Sequence, residues 1–350
     1  PSRGLGDVYK RQDNVLESLN PDDIESISVL KDAASTAIYG ARAGHGVVLI
    51  TTKRGKSQKP RVTYSGMGSV QVARSNYKML DTRMYMDMYN KQMHEEWLKL
   101  NGMGIYEGYV EKQDTPPTQY KPTFNNDEIL TASGTDWLDA VMRNGYTQQH
   151  NLSVNGGTEK AKYKLSFIHQ DQPSVMVGNG LKQNNMNASF NFKPFKFLTL
   201  EYRTRLLHKE VDGSGTEGVS LLTALREKPT KGLDEYMKLP EDDTYFDPDQ
   251  LEEETLFDPK EESKRNYKKR INKSLNTMGA VTWDIMKGMT FRSEFGFENN
   301  SEEQRRFWGM ETSKARSNNN QPVAEWSMKQ GTKWQLTNVW NYNLSLIHIS

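Results

Sequence analysis

From Val62 onward the side chains alternate with a period of two over long stretches. Val62, Tyr64, Gly66, Gly68, Val70 and Val72 fall on one face, with Thr63, Ser65, Ser69 and Gln71 on the other, which predicts a strand with one apolar side. The pattern is clearest between Gln149 and Asp171. Leu152 and Val154 alternate with Asn151 and Ser153, Asn155–Lys160 supplies turn residues, and Ala161, Tyr163, Leu165 and Phe167 alternate with Lys162, Lys164 and Ser166; this spacing predicts a hairpin. Met186, Ala188, Phe190 and Phe192 lead into a turn at KPFKF, after which Leu198, Leu200, Tyr202, Thr204 and Leu206 oppose Thr199, Glu201, Arg203 and Arg205. A tight Lys287–Gly288 turn precedes Met289, Phe291, Phe295 and Phe297, which oppose Thr290, Arg292 and Glu294, and Trp334, Leu336 and Trp340 mark a last strand. Alternation predicts roughly eight or nine strands in all.

Between Leu80 and Leu100 the period changes. Leu80, Met84, Met88, Trp97 and Leu98 recur among charged and amide residues, which predicts a loop-borne helix whose methionine-rich face packs against its surroundings. The strands carry a second signal. A glutamate and arginines on one strand face (Glu201, Arg203, Arg205, then Arg292) do not suit the core of a small soluble sandwich, but they suit a water-filled or plugged barrel lumen.

Composition narrows this. Mean hydropathy is −0.82 and 35% of residues are hydrophobic, with no run approaching the ~18 apolar residues of a membrane helix. A helical membrane protein is excluded; a transmembrane barrel, whose strands alternate and whose loops are polar, is not. With 46 basic and 45 acidic residues the net charge is +1, so no global field recruits nucleic acid. The absence of cysteine removes disulfides, zinc-thiolate sites and thiol nucleophiles together.

The stretch NPDDIESISVLKDAASTAIYGARAGHGVVLITTK, Asn20 to Lys53, has a different character. Asn20 can cap a helical turn opening on Pro21, with Asp22 and Asp23 at its positive end. Ile27 and Val29 alternate with Ser26 and Ser28 as in a strand with one buried face. The small-residue run AASTAIYG closes on Gly40 as a helix ending in a left-handed glycine. After the turn at Gly46, the nearly continuous apolar run VVLITTK predicts a strand buried on both faces.

These residues resemble the end of the plug domain of TonB-dependent outer-membrane receptors, where a strand, a small-residue helix closing on Tyr-Gly, and a strand ending in Thr-Lys recur. The Lys31-Asp32-Ala33 step is similar to the SusC/RagA branch, and His45 departs from the Asn usual there. TDWLDAV, QHNLS and GGTE between Thr135 and Glu159 resemble the early barrel of the same branch, and Asp171-Gln172-Pro173 departs from its usual turn. The resemblance runs from Asn20 to about Asn343, densely as far as Leu206. It assigns a structural and gating role to Asp23, Ile24, Glu25, Ile27, Val29, Lys31, Asp32, Ala33, Tyr39, Gly40, Gly46, Val48, Ile50, Thr51 and Lys53.

The implied fold is mainly β: a transmembrane antiparallel β-barrel, of about 22 strands in the whole protein, around a small α+β plug domain. Residues 13–56 would be the C-terminal part of the plug and 57–344 the N-terminal part of the barrel with its outer loops. PSRGLGDVYKRQ (1–12) and 345–350 read as non-native flanks on a truncated chain. The implied activity is TonB-dependent import of oligosaccharides or peptides across the outer membrane. Its partners would be a SusD-like lipoprotein lid, the TonB-ExbB-ExbD energy-coupling complex and outer-membrane lipid, with no nucleic acid and no cofactor. A surface adhesin or signalling receptor on the same scaffold would share every one of these features.

Other motifs weigh little. Gly213–Gly218 satisfies GxGxxG, but the strand before it is polar on one face and a polar stretch intervenes, so a flexible loop is favoured over a phosphate site. The acidic run 241–263 lacks the glycine and alternating carboxylates of an EF-hand and reads as a solvated loop. Neither HExxH nor GxSxG occurs, and no pair of carboxylates stands out as catalytic; an enzyme is not expected. Trp97, Tyr106, Tyr109, Trp308 and Trp326 read as girdle or loop packing before sugar or peptide stacking.

Overall fold

The computed structural model describes residues 24–31, 46–53, 55–74, 78–107, 119–213, 224–225, 227–230, 264–310 and 312–342. Two sheets account for its strands. The first is an antiparallel ribbon of β1 (Ile24–Leu30) and β2 (Val47–Thr52); the second has eight strands, β3 (Gln58–Gln71), β4 (Gly145–Gly157), β5 (Ala161–Pro173), β6 (Gly180–Phe195), β7 (Leu198–Asp212), β8 (Asn266–Met286), β9 (Met289–Trp308) and β10 (Val323–Tyr342). Each strand of the large sheet pairs with its sequence neighbour, all antiparallel, with β3 and β10 at the edges. The alternation read from the sequence is therefore a single meander, with strands of 20 or 21 residues at β8, β9 and β10.

Its connections differ at the two ends. At one end β4–β5, β6–β7 and β8–β9 join through turns at Thr158–Lys160, Lys196–Phe197 and Lys287–Gly288, the last with Gly288 at φ 86°. At the other end the strands join through longer segments, including all of 72–144 and 213–265. The turns also advance along the strands. Gly157 pairs with Lys162, and that row continues through Asn191 to Glu201. The next hairpin closes at Phe195–Leu198, three residues beyond Glu201; Leu198 faces Trp283, and the third hairpin closes at Met286, again three residues on. Three residues are about 10 Å of strand for every two strand spacings of about 4.8 Å, so turns lying in one plane require strands tilted by about 45°.

The two faces of this sheet are chemically opposite. Val62, Leu152, Phe167, Phe190, Tyr202, Val281, Phe295 and Leu336 share one face and are all exposed. A sheet in water does not leave so large an apolar surface uncovered, whereas a barrel strand in lipid presents this face outward. Along β7 the face runs Leu198, Leu200, Tyr202, Thr204, Leu206 and then turns to His208, Glu210 and Asp212. There Lys269 reaches Glu210 at 3.1 Å and Asp212 at 3.8 Å. The opposite face carries Ser153, Ser166, Asn187, Arg205, Asn276 and Glu298. No helix among the described residues is long and apolar enough to cross a membrane.

Helix α1 (Thr82–Leu100) fills the predicted position, and Asp81 caps it by accepting the Met84 amide at 2.8 Å. Its aromatic side is covered: Tyr120 lies over His94 at 4.6 Å between ring centroids, and Phe124 meets Tyr89 edge-on. The methionine expectation fails in part. Met86 is buried, but Met84 and Met88 are more than half exposed, because the packed stripe runs through Tyr85, Tyr89 and Trp97 instead. Two short helices follow, α2 (Asn126–Thr131), closed by an Asn125–Glu128 capping box, and α3 (Trp137–Val141), capped by Asp136. Trp137 and Val141 pack with Ala224, and Trp137 Nε1 donates to the Lys228 carbonyl, tying the β3–β4 connection to the β7–β8 connection.

The opposed faces predict opposite responses to charge. In the full-length protein, Val281→Arg on the apolar face should cost about 2–4 kcal/mol if it sits near the bilayer centre. Thr337→Arg, on the polar face of β10 opposite Glu294, should cost far less; urea titration of refolding into lipid vesicles measures both.

Candidate functional site

The polar face becomes a site where β2 and the chain after it meet the wall. Thr52 and Lys53 border a small cavity whose other walls include Lys164 and Ser166 of β5, Asn187 of β6 and Arg203 and Arg205 of β7. Beyond it the chain runs so close to β5 that a Cβ on Gly55 would stand 2.6 Å from the Tyr163 amide nitrogen. Only a hydrogen at that position lets the backbones approach. Lys56 N then donates to Asn155 Oδ1 at 3.0 Å, which delivers the chain into β3.

Beside this junction is a charge cluster spanning β6 to β9. Glu201, its side chain 8% exposed, accepts Arg292 Nη2 at 2.9 Å and Asn191 Nδ2 at 3.2 Å and lies 3.8 Å from Arg203. Arg292 also donates to Glu294 at 2.9 Å and to Thr282 Oγ1 at 3.0 Å. Register explains the meeting. Glu201 faces Ala280, and Ala280 faces Glu294, so a small residue on β8 leaves room for the side chains of β7 and β9 to join across it. Such a network fixes four strands laterally, since charge-assisted bonds are the stronger kind and desolvated partners are costly to separate.

The residues singled out by the sequence divide into three groups. Asp23, Asp32, Ala33, Tyr39 and Gly40 lie outside the described residues, as do the helix ends at Asn20 and Gly40, His45, Tyr109, the acidic run, and the GxGxxG stretch beyond Gly213. Ile24, Glu25, Ile27, Val29, Lys31, Gly46, Val48, Ile50, Thr51 and Lys53 fall on or beside the β1–β2 ribbon. Ile27 faces Ile50, Val29 faces Val48, and the register slips between Ile24 and Ser26. Gly46 has φ 100°, and a Cβ there would lie 3.1 Å from the Leu30 carbonyl oxygen, so the expected turn glycine is needed for both reasons. The burial expectation is corrected: Ile50 is buried, but Ile27, Val29 and Val48 are about half exposed, because a two-stranded ribbon has no second layer over it among the described residues.

The third group is Arg203, Arg205 and Arg292, all on the polar face as alternation required. Sequence reasoning missed the role of Glu201 as their hub. Its partner Arg292 is 91 positions away, and only the register across β8 brings the two together. The expected aromatic packing holds for Trp97 against Tyr120 and for buried Trp308; exposed Trp326 donates Nε1 to Glu303 at 2.9 Å. Among the described residues no group of three or more His, Cys, Asp or Glu side chains is arranged to hold a metal ion.

Two substitutions test the junction in the full-length protein. Gly55→Val should force the linker off β5 and lower the yield of folded, membrane-inserted protein, whereas Gly178→Val, where nothing lies within 4 Å and the penalty is the local φ of 79°, should leave assembly far less affected. Glu201→Ala should cost about 1.5–3 kcal/mol, the range for hydrogen bonds to charged groups. A double-mutant cycle with Arg292→Ala should show coupling between the two; additive effects would mean that the contact contributes nothing.

No family model matches the chain. Curated relatives do. It is 32% identical over 185 residues to the TonB-dependent receptor SusC of Bacteroides thetaiotaomicron, a stretch that is 53% of this chain and 15% of that protein. It is 30% identical over 208 residues to the TonB-dependent receptor P39 of Formosa agariphila, covering 59% of this chain and 18% of the relative. Among solved structures, the RagAB peptide transporter matches with a TM-score of 0.66 at 20% identity, and the RagAB peptide importer in an open-open state with 0.68 at 20%. These cover 95% and 97% of this chain and 38% of the solved chain in each case. The chain thus spans less than half the length of the proteins it matches; in sequence it is similar to TonB-dependent receptors including SusC, and in fold to the RagAB transporter.

Proposed function

We propose that the whole protein imports oligosaccharides or peptides across the outer membrane, driven through TonB, with a SusD-like lipoprotein as its lid. The observation that carries this reading is the division of the eight-stranded sheet into an exposed apolar face and a polar face bearing the Glu201–Arg292 network. One face suits lipid and the other suits a hydrated, plugged lumen. The matched relatives are named as TonB-dependent receptors, and the matched solved structures as a peptide transporter and importer.

In this reading the short turns face the periplasm and the long connections face the outside, as in other barrels. The β1–β2 ribbon is the C-terminal part of the plug. Thr52 and Lys53 seat it against the β5–β7 wall, and Gly55 brings the linker flush with β5. Force applied to the plug by the TonB-ExbB-ExbD complex would then be resisted at this junction, while the rest of the plug remodels to open a path. The residues here supply fit and anchoring rather than bond-breaking chemistry, in keeping with a transporter.

Deleting the gene in its host and measuring uptake of defined oligosaccharides and peptides tests the proposal. Loss of uptake of at least one class, restored by the wild-type gene and not by a version lacking its TonB-contacting segment, is the expected result. Unchanged uptake across the panel, with the protein shown to be expressed beforehand, would leave only a receptor or adhesin role.

A further inference from the structure

The three short turns are stitched into one continuous rim. Lys193 N donates to the Lys160 carbonyl at 2.7 Å, joining the β4–β5 turn to the end of β6, and Asp284 N donates to the Phe197 carbonyl at 2.8 Å, joining the β6–β7 turn to β8. Taken with three residues on either side, these turns hold five lysines and two carboxylates. Lys162, opposite Asn191, and Asp284, opposite Thr290, belong to the polar face. That leaves Lys160, Lys193, Lys196 and Lys287 against Glu159 alone. All four lysines are exposed, and none of their ammonium groups has a partner among the described residues.

The opposite border of the apolar face is built differently. There the carboxylates are held by cations of the same face: Asp171 lies 3.7 Å from Lys182, Glu210 3.1 Å from Lys269 and Glu303 2.6 Å from Arg305. At the short-turn rim the lysines instead stand next to exposed apolar side chains, Phe192, Phe195, Trp283 and Met286, with Phe197 in the turn itself. Phe195, which pairs with Leu198 on the apolar face, stacks on Phe197 at 5.3 Å between centroids with planes 4° apart, and both rings are at least half exposed. An aromatic girdle of this kind marks the level at which a barrel leaves the hydrocarbon. A lysine just beyond it can lay its stem along apolar surface and bring its ammonium to the headgroups. A zwitterionic headgroup carries its own cation, whereas one of net negative charge attracts lysines that have no partner.

From this we infer that the short-turn rim is a docking surface for phospholipids of net negative headgroup, in which Lys160, Lys193, Lys196 and Lys287 receive the phosphate diesters and the Phe195–Phe197 pair packs among the acyl chains. The inference goes beyond import and rests only on the reading that the apolar face meets lipid. The contact also sets the depth of the wall in the bilayer, as interfacial aromatic and lysine anchors do for helices.

The test uses the full-length protein purified in detergent and three probes: dioctanoyl phosphatidylglycerol, dioctanoyl phosphatidylcholine and inorganic phosphate. Native mass spectrometry counts bound lipid as each is titrated. Phosphatidylglycerol should bind at least about tenfold more tightly than phosphatidylcholine, since each cation near an anionic lipid surface contributes about fivefold, and added salt should reduce the difference. Lys160→Gln, Lys193→Gln, Lys196→Gln and Lys287→Gln together should abolish the preference, and arginine at the same four positions should keep it. Phe195→Ala with Phe197→Ala should weaken both lipids alike. Should the fourfold glutamine variant fail to assemble, Lys193→Gln and Lys196→Gln singly, each expected to lower the preference about fivefold, decide in its place. A preference that survives loss of the lysines overturns the inference, as does competition by millimolar inorganic phosphate, which would mark a site for a free anion. Equal binding of the two lipids overturns this inference alone, whereas binding of neither overturns the lipid-facing reading with it.

Discussion

Everything in the large sheet depends on register that never slips where it matters. From β3 to β10 the pairing is continuous, and its irregularities fall between Gln58 and Arg61, Phe192 and Phe195, and Asp284 and Met286, each at the end of the sheet where the short turns lie. A one-residue slip elsewhere would move every following side chain to the other face. Because none occurs, Phe167, Phe190, Tyr202 and Phe295 stay on one side, and Ser166, Arg205 and Glu294 on the other. Confining irregularity to the turns lets each hairpin adjust its closure without mixing the two environments.

That constancy is also why the fold was so legible. Strict alternation marked β4 to β7 from single residues, and the change of period at Leu80 marked α1. What alternation does not carry is the identity of neighbours two strands apart. Glu201 and Arg292 are both visible as polar-face charges, but their contact depends on Ala280 being the small residue between them. Burial is equally non-local: the apolar run VVLITT looks like a doubly covered strand, yet a hydrophobic run reports the capacity to be buried and not the presence of a covering layer. In α1 the methionines gave the stronger periodic signal, and the aromatic stripe took the packing because Tyr120 and Phe124 return from later in the loop to cover it.

The polar face is not uniform in its electrostatics. Near the β2 junction its charges are matched, with Glu201 and Glu294 against Arg203 and Arg292, and such matching favours a fixed geometry. Farther along β7 and β8, Lys209, Arg270 and Lys268 share that face with the side-chain amides of Gln183 and Asn272.

The three-residue advance of successive hairpins sets more than strand direction. At a tilt of about 45°, each strand occupies about 7 Å of perimeter instead of its 4.8 Å spacing. A closed barrel of about 22 such strands would measure roughly 150 Å around and nearly 50 Å across at the backbone. An opening of that width would admit folded proteins. In a barrel of that strand number side chains alone could not seal the bore, and an internal domain would be a geometric requirement of the wall.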